Sequence, residues 1–259
     1  MFLKPFKIFL LIVLFSCDNN KANSSNTDNP DIPLHSTSLH YTNIEQIPLP
    51  EGYYRTQADA SSFTAWLRKL QLKTDNTVYL FDGRKKVNQS AQFAVLDISV
   101  GKKDLQQCAD AVMRLRAEYK FAQKDFNKIL FVDNQGTQYL LKEPYTRVNF
   151  DTYLERVFGM CGTASLSKQL TPTNMKDISP GDVLIRGGFP GHAVIVMDVA
   201  ANSEGKKIYL LAQSYMPAQD IHVLNDPTNK KISPWYQVNE AEKIETPEYI
   251  FTKNELKKW

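Results

Sequence analysis

Apolar positions along this chain change their spacing several times, and each change marks a different element. In residues 61–70 (SSFTAWLRKL), Phe63, Trp66, Leu67 and Leu70 recur at helical spacing and predict a short amphipathic helix. A strand is expected at 78–81, turning at Asp82-Gly83, and another at 93–100 (FAVLDISV), ended by Gly101. The most regular pattern runs from 104 to 124, where Leu105, Cys108, Ala109, Val112, Leu115 and Tyr119 recur every three or four residues. Asp104 followed three residues later by Gln107 reads as a capping box, which puts Cys108 on the buried stripe in the first turn or so of a long helix. Arg114, Arg116 and Glu118 are then its solvated face. Residues 129–132 and 138–141 flank Asn134-Gln135-Gly136 as a hairpin, and 150–158 is a further helix.

The densest apolar stretch is 178–198, ISPGDVLIRGGFPGHAVIVMD. A Pro180-Gly181-Asp182 turn launches a strand at 183–186, and the loop 187–191 delivers the chain into a second at 193–199. Both faces of that second strand are apolar except at His192 and Asp198, as expected of an interior strand in a covered sheet. Residues 207–215 (KIYLLAQSY) supply its hairpin partner. Four later prolines (Pro217, Pro227, Pro234, Pro247) break the chain into short pieces, with Trp235, Tyr236, Tyr249 and Phe251 available to cover the core. The expected fold is α+β, an antiparallel sheet packed against helices in a single domain.

The N-terminus has another character. Residues 1–16 (MFLKPFKIFLLIVLFS) carry Lys4 and Lys7 ahead of an apolar run too short to span a bilayer, which takes about 20 residues. With Leu14, Phe15 and Ser16 before Cys17 they read as a lipoprotein signal, and cleavage there leaves Cys17 to carry lipid. Residues 17–43, rich in Asn and Ser, read as a flexible tether. Residues 44–259 form the domain. This predicts a lipid-anchored protein of the cell envelope, with the membrane as its first partner. The formal charge of +3 falls closer to neutrality once Lys4 and Lys7 are removed, which gives no support to nucleic-acid binding.

His192 stands at the head of an apolar strand, where an imidazole is costly unless paired. A satisfied core histidine is the plain reading; a cysteine partner gives it a chemical one. If Cys17 is acylated, Cys108 and Cys161 remain, and in an oxidising compartment they could instead form one disulfide. A thiol at a helix N-terminus beside an imidazole has its anion stabilised and its pKa lowered. Pairing of 193–199 with 207–215 brings Gln213 or Ser214 opposite His192, where an amide can orient the ring. The arrangement expected is Cys108 as nucleophile, His192 as base and Gln213 as orienting residue, with Gln107 or Gln106 donating to an oxyanion. Each also fits a structural role: Cys108 as a small apolar residue on a helix stripe, Gln213 as an interior amide. Asp198 shares the strand face of His192 but lies too far along it for a triad, and His222 is by default a surface or partly buried residue. Neither metal nor cofactor is implied.

The order DLQQCADAV, SPGD, GHAVIVMDV, KIYLLAQS resembles the papain-like NlpC and CHAP cell-wall peptidases and amidases. Those families set a cysteine at a helix start, then a Gly-Asp turn, a histidine at a strand start and a polar residue on the next strand. The resemblance implies a papain-like fold and a cysteine hydrolase acting on peptide or amide bonds, with peptidoglycan as substrate. It also requires an insertion holding a hairpin and a helix between Cys108 and His192. Over IPLPEGY, DLQQCADAVMRLRAEY, PGHAVIVMDVA, LLAQSYMPAQDIHVLNDP and SPWY the chain is similar to an uncharacterised lipoprotein family of Gram-negative bacteria, known as a domain of unknown function. That family often has alanine at the position of Cys161. The alternative is a non-catalytic envelope binding or scaffold lipoprotein on the same frame.

Overall fold

In the computed structural model, residues 41–259 are described; the signal segment, Cys17, nearly all of the tether, His35 and His40 lie outside them. Among the described residues are four α-helices: α1 (Phe63–Arg68), α2 (Cys108–Ala122), α3 (Arg147–Met160) and α4 (Thr163–Gln169). The strands, in chain order, are β1 (Tyr53–Arg55), β2 (Gln92–Val95), β3 (Leu130–Val132), β4 (Gln138–Leu140), β5 (Thr171–Pro172), β6 (Val183–Arg186) and β7 (His192–Asn202). They continue as β8 (Lys207–Gln213), β9 (His222–Leu224), β10 (Tyr236–Gln237), β11 (Lys243–Glu245), β12 (Ile250–Thr252) and β13 (Leu256–Lys258). Nine of them form one sheet in the order β2-β9-β8-β7-β6-β13-β5, with β1 added to β7 and β10 to β8, and β3-β4 and β11-β12 form separate hairpins. The fold is α+β with antiparallel pairing throughout.

Strand alternation sorts the core into two layers. Ala193, Ile195 and Met197 of β7 and Leu210 and Ala212 of β8 join Val112, Met113 and Leu115 of α2 in the larger cluster. Val194, Val196, Tyr209 and Leu211 point the other way, against Tyr236, Phe251 and Leu256. From His192 to Ala200 every residue of β7 is buried, as the two-faced apolar pattern requires. The Pro-Gly-Asp turn before β6 needs its glycine: Gly181 has φ +95°, and a Cβ there would sit 2.6 Å from the ring of Phe63.

A β-bulge interrupts the β7–β8 register between Val196 and Asp198. It reverses the alternation, so Asp198 lies opposite Leu210 and faces the helices instead of sharing the face of His192. There the fully buried carboxylate accepts from Arg55 Nε at 2.7 Å and Arg68 Nε at 2.8 Å, tying β1 and α1 to the middle of the sheet.

Other expectations also shift. Residues 78–81 make only isolated bridges, because side chains and loop carbonyls take the amides a ladder would use: Val78 N donates to Gln89 Oε1, Tyr79 N to Asp220 Oδ2 and Phe81 N to Ala218 O. The long helix starts at Cys108, with Gln107 as N-cap and Asp110 Oδ2 accepting from Gln107 N at 3.0 Å. Asp104 accepts from Ala218 N and Gln107 Nε2 instead of capping. Arg114 and Arg116 are half-buried: Arg114 donates to Ser99 O and Gln106 Oε1, and Arg116 lies over the rings of Phe63 and Trp259.

Asp198→Ala leaves two arginines facing a buried gap, and loss of one member of such a set costs about 3–5 kcal/mol. Urea denaturation should show a loss of that size, and a loss below about 1 kcal/mol would mean that the arginines re-solvate freely.

Candidate functional site

Cys108 is the first residue of α2 and is partly exposed at the wall of a cleft of about 350 Å³. Leu105, Gln107, Asp110, Cys161, Thr163, Gly188, Phe189, Gly191 and Met216 contribute to the same cleft. Backbone amides of Ala109, Ala193 and Cys108 itself favour the thiolate, but burial, reinforced by the Asp110 carboxyl, outweighs them and pushes the thiol up to about 11. The lowered pKa expected of a helix N-terminus is therefore not realised: at neutral pH the sulfur carries its proton. Cys161, the C-cap of α3, is buried in the same wall, and both cysteines are free.

The amide that approaches Cys108 belongs to Ala193, one residue beyond His192. The loop 187–191 ahead of His192 is tightly closed, but the structure does not set the His192 ring in this cleft: it turns to the opposite face of β7 from Ala193, toward Phe251. A Cβ on Gly191 would lie 2.8 Å from Arg186 O and closer still to Gly188 O, and Thr163 Oγ1 at the head of α4 donates to Gly188 O at 3.1 Å. The His192 ring packs on Tyr215 at 4.6 Å, Tyr249 at 5.0 Å and Phe251 at 5.9 Å. Tyr215 is also linked to the cysteine, its hydroxyl raised by burial, Glu248 and Cys108.

His192 Nε2 lies 2.7 Å from Gln213 Oε1 across the β7–β8 pair, so the structure brings these two residues together. Gln213 Nε2 donates to Glu248 Oε2 at 2.7 Å, and Lys86 Nζ meets the same oxygen at 2.6 Å. His222, directly opposite Gln213 in the β8–β9 register, is fully buried and completes the group, with its Nε2 3.4 Å from Gln213 Nε2 and 3.5 Å from Lys86 Nζ. The default reading of His222 as a surface or partly buried residue is thus replaced by an interior one. Its register with Gln213 was hidden in sequence by the Pro217 loop, and Lys86 and Glu248 had no spacing signal at all.

The two glutamines before the cysteine part company. Gln107 lines the cleft with its side-chain nitrogen on Asp104. Gln106 is buried on the far side with Arg114, its carbonyl accepting from Ser214 Oγ at 2.9 Å. Donors for an oxyanion beside Cys108 are consequently the backbone amides, with Gln107 the only one of the two glutamine side chains in reach of the cleft. Among the described residues, no group of three His, Cys, Asp or Glu side chains is disposed to hold a metal, and no helix is long and apolar enough to cross a membrane.

A family profile described as Domain of unknown function (4846) matches residues 44–143 and 132–258, which together take in almost all of the described chain. The chain belongs to that family. No curated protein and no solved structure matches it. The site geometry above is therefore the starting point for function within the family.

Burial holds His192 down at about 4 and His222 at about 3, against an ordinary value near 6.5. Both folded values lie below the unfolded one, so the stability these neutral rings contribute is complete above about pH 6.5 and is lost as pH falls toward about 4. Asp182, raised to about 6 by burial, titrates in the opposite sense over the same range. The measurement is accordingly the difference between wild type and His192→Gln. Wild type should lose up to about 1.4 kcal/mol more per pH unit between about pH 6 and pH 4, and parallel stability curves would show that the ring is solvated.

Proposed function

We propose that the protein is a cysteine hydrolase acting on peptide or amide bonds, with Cys108 as nucleophile, His192 as base and Gln213 as the residue that orients it. The observation carrying this reading is that Cys108, opening α2 in an accessible cleft, lies against the amide that follows His192, whose Nε2 is held by Gln213. On this reading the frame is papain-like, and the hairpin β3–β4 with α3 and α4 is the insertion between cysteine and histidine. The pair rests as neutral thiol and neutral imidazole, so the proton moves during attack. Sulfur bonds to the carbonyl carbon as His192 takes the thiol proton, and the oxyanion is met by backbone amides. Collapse expels the amine, which leaves with that proton, and water activated by the same ring hydrolyses the thioester.

The proposed setting is the cell envelope, with Cys17 lipidated, residues 17–43 as tether and peptidoglycan peptides as substrate. It is supported by the signal-like N-terminus and by the resemblance to cell-wall peptidases. A second reading, a non-catalytic binding or scaffold lipoprotein on the same frame, is favoured by one observation: burial keeps Cys108 protonated, up to about 11.

Alkylation separates the two. Iodoacetamide should label Cys108 of the folded protein at neutral pH, about tenfold more slowly in His192→Ala and with a smaller loss in Gln213→Ala. Labelling indifferent to His192 would favour the binding module. For the setting, Cys17→Ala should release the protein from membranes or leave the signal uncleaved, and unchanged fractionation with normal processing would count against the lipid anchor.

A further inference from the structure

We infer that Glu248, held by Lys86, is a positioning residue that selects the tautomer of His192 through Gln213, so that Nδ1 is the ring nitrogen left free to take a proton. The inference rests on the hydrolase reading only for what Nδ1 then does.

It follows from counting donors in a closed group. His222 Nδ1 lies 2.9 Å from the backbone carbonyl of Asp220, which can only accept, so Nδ1 bears the proton and Nε2 the lone pair. Gln213 Nε2 has two hydrogens and two acceptors, the Glu248 carboxylate at 2.7 Å and this His222 lone pair at 3.4 Å. Turning the amide over would set its oxygen against a carboxylate oxygen and a lone pair at once. The orientation is therefore set, and Oε1 is the atom presented to His192 at 2.7 Å. An oxygen there requires N–H on Nε2; the other neutral tautomer would oppose two lone pairs in a site where His192 is 2% exposed.

Lys86 makes the group self-consistent. Its ammonium, on a side chain 7% exposed, meets Glu248 at 2.6 Å and lies 3.5 Å from His222 Nε2, so the half-buried carboxylate keeps a counter-charge. Asn88 Nδ2 donates to the second oxygen of Glu248 at 3.2 Å, which leaves Oε2 for Lys86 and Gln213. Tyr215, Tyr249 and Phe251 exclude water from the ring. The proton position is thus dictated through Gln213 by Glu248 and Lys86, which lie far from His192 along the chain.

The test is nitrogen NMR on full-length protein with 15N-labelled histidine, the two domain rings assigned through His222→Asn. In wild type near neutral pH, His192 should show the Nε2–H tautomer in at least about tenfold excess. In Glu248→Met, where Gln213 loses its carboxylate partner and the freed Lys86 ammonium can draw the amide oxygen to itself, that excess should collapse and alkylation of Cys108 should slow about tenfold. Wild-type His192 protonated on Nδ1, or an unchanged tautomer ratio in folded Glu248→Met, overturns the inference. Should Glu248→Met fail to fold, the wild-type spectrum and the double variant Lys86→Met/Glu248→Met, which leaves no ammonium unpaired, decide in the same way. The two readings fail separately. Cys108 inert while the tautomer follows Glu248 removes the hydrolase and keeps the positioning chain; Cys108 dependent on His192 but with a tautomer indifferent to Glu248 does the reverse.

Discussion

Burial of β7 on both faces is the constraint from which the rest of the structure follows. A strand with apolar layers above and below has no water for its polar side chains, so each must find partners inside or be absent. Two such groups remain, and each organises one end of the strand. Asp198 recruits Arg55 and Arg68 and so docks β1 and α1 against the sheet. His192 recruits Gln213, and behind it Glu248, Lys86 and His222, so that segments far apart in sequence converge on one ring. The bulge between Val196 and Asp198 keeps the two groups from competing, because it sends them to opposite faces.

The same burial shapes the chemistry available. Desolvation disfavours charge on both the thiol and the ring, raising Cys108 to about 11 and lowering His192 to about 4. Both shifts act against a resting ion pair of the kind that makes some cysteines reactive at acidic pH, and favour moving the proton in the act of attack. The polar group behind His192 suits that task, since it adds no net charge beside the ring: one cation, one anion, one amide and one neutral imidazole.

The cleft itself is lined by small residues such as Ala109, Gly162, Gly188 and Gly191 and by the polar Asp104, Gln107 and Asp110, with the exposed Phe189 and Met216 also contributing. Glycine at 191 is required by close approach to the Gly188 and Arg186 carbonyls, so the loop that presents His192 has little room to relax. The closed loop ahead of His192 therefore meets the helix start at Cys108, and the cleft lies between these two elements.

Local pattern by itself determined the long helix that carries Cys108, though not its start, the strand pair flanking 202–205, the hairpin near 134–136 and the singular position of His192, because these depend on spacings of two, three and four residues along the chain. It also pointed to Gln213, since a tight hairpin makes cross-strand neighbours computable. Tertiary structure alone decided the rest. The bulge that turns Asp198 away, the split between Gln106 and Gln107, the half-buried Arg114 and Arg116, the burial of His222 and Lys86 and the approach of Glu248 to them all depend on which segments pack together across long loops. The direction of the Cys108 shift belongs with them: a helix N-terminus is visible in sequence, whereas the desolvation that overrides it is a property of everything packed around the sulfur.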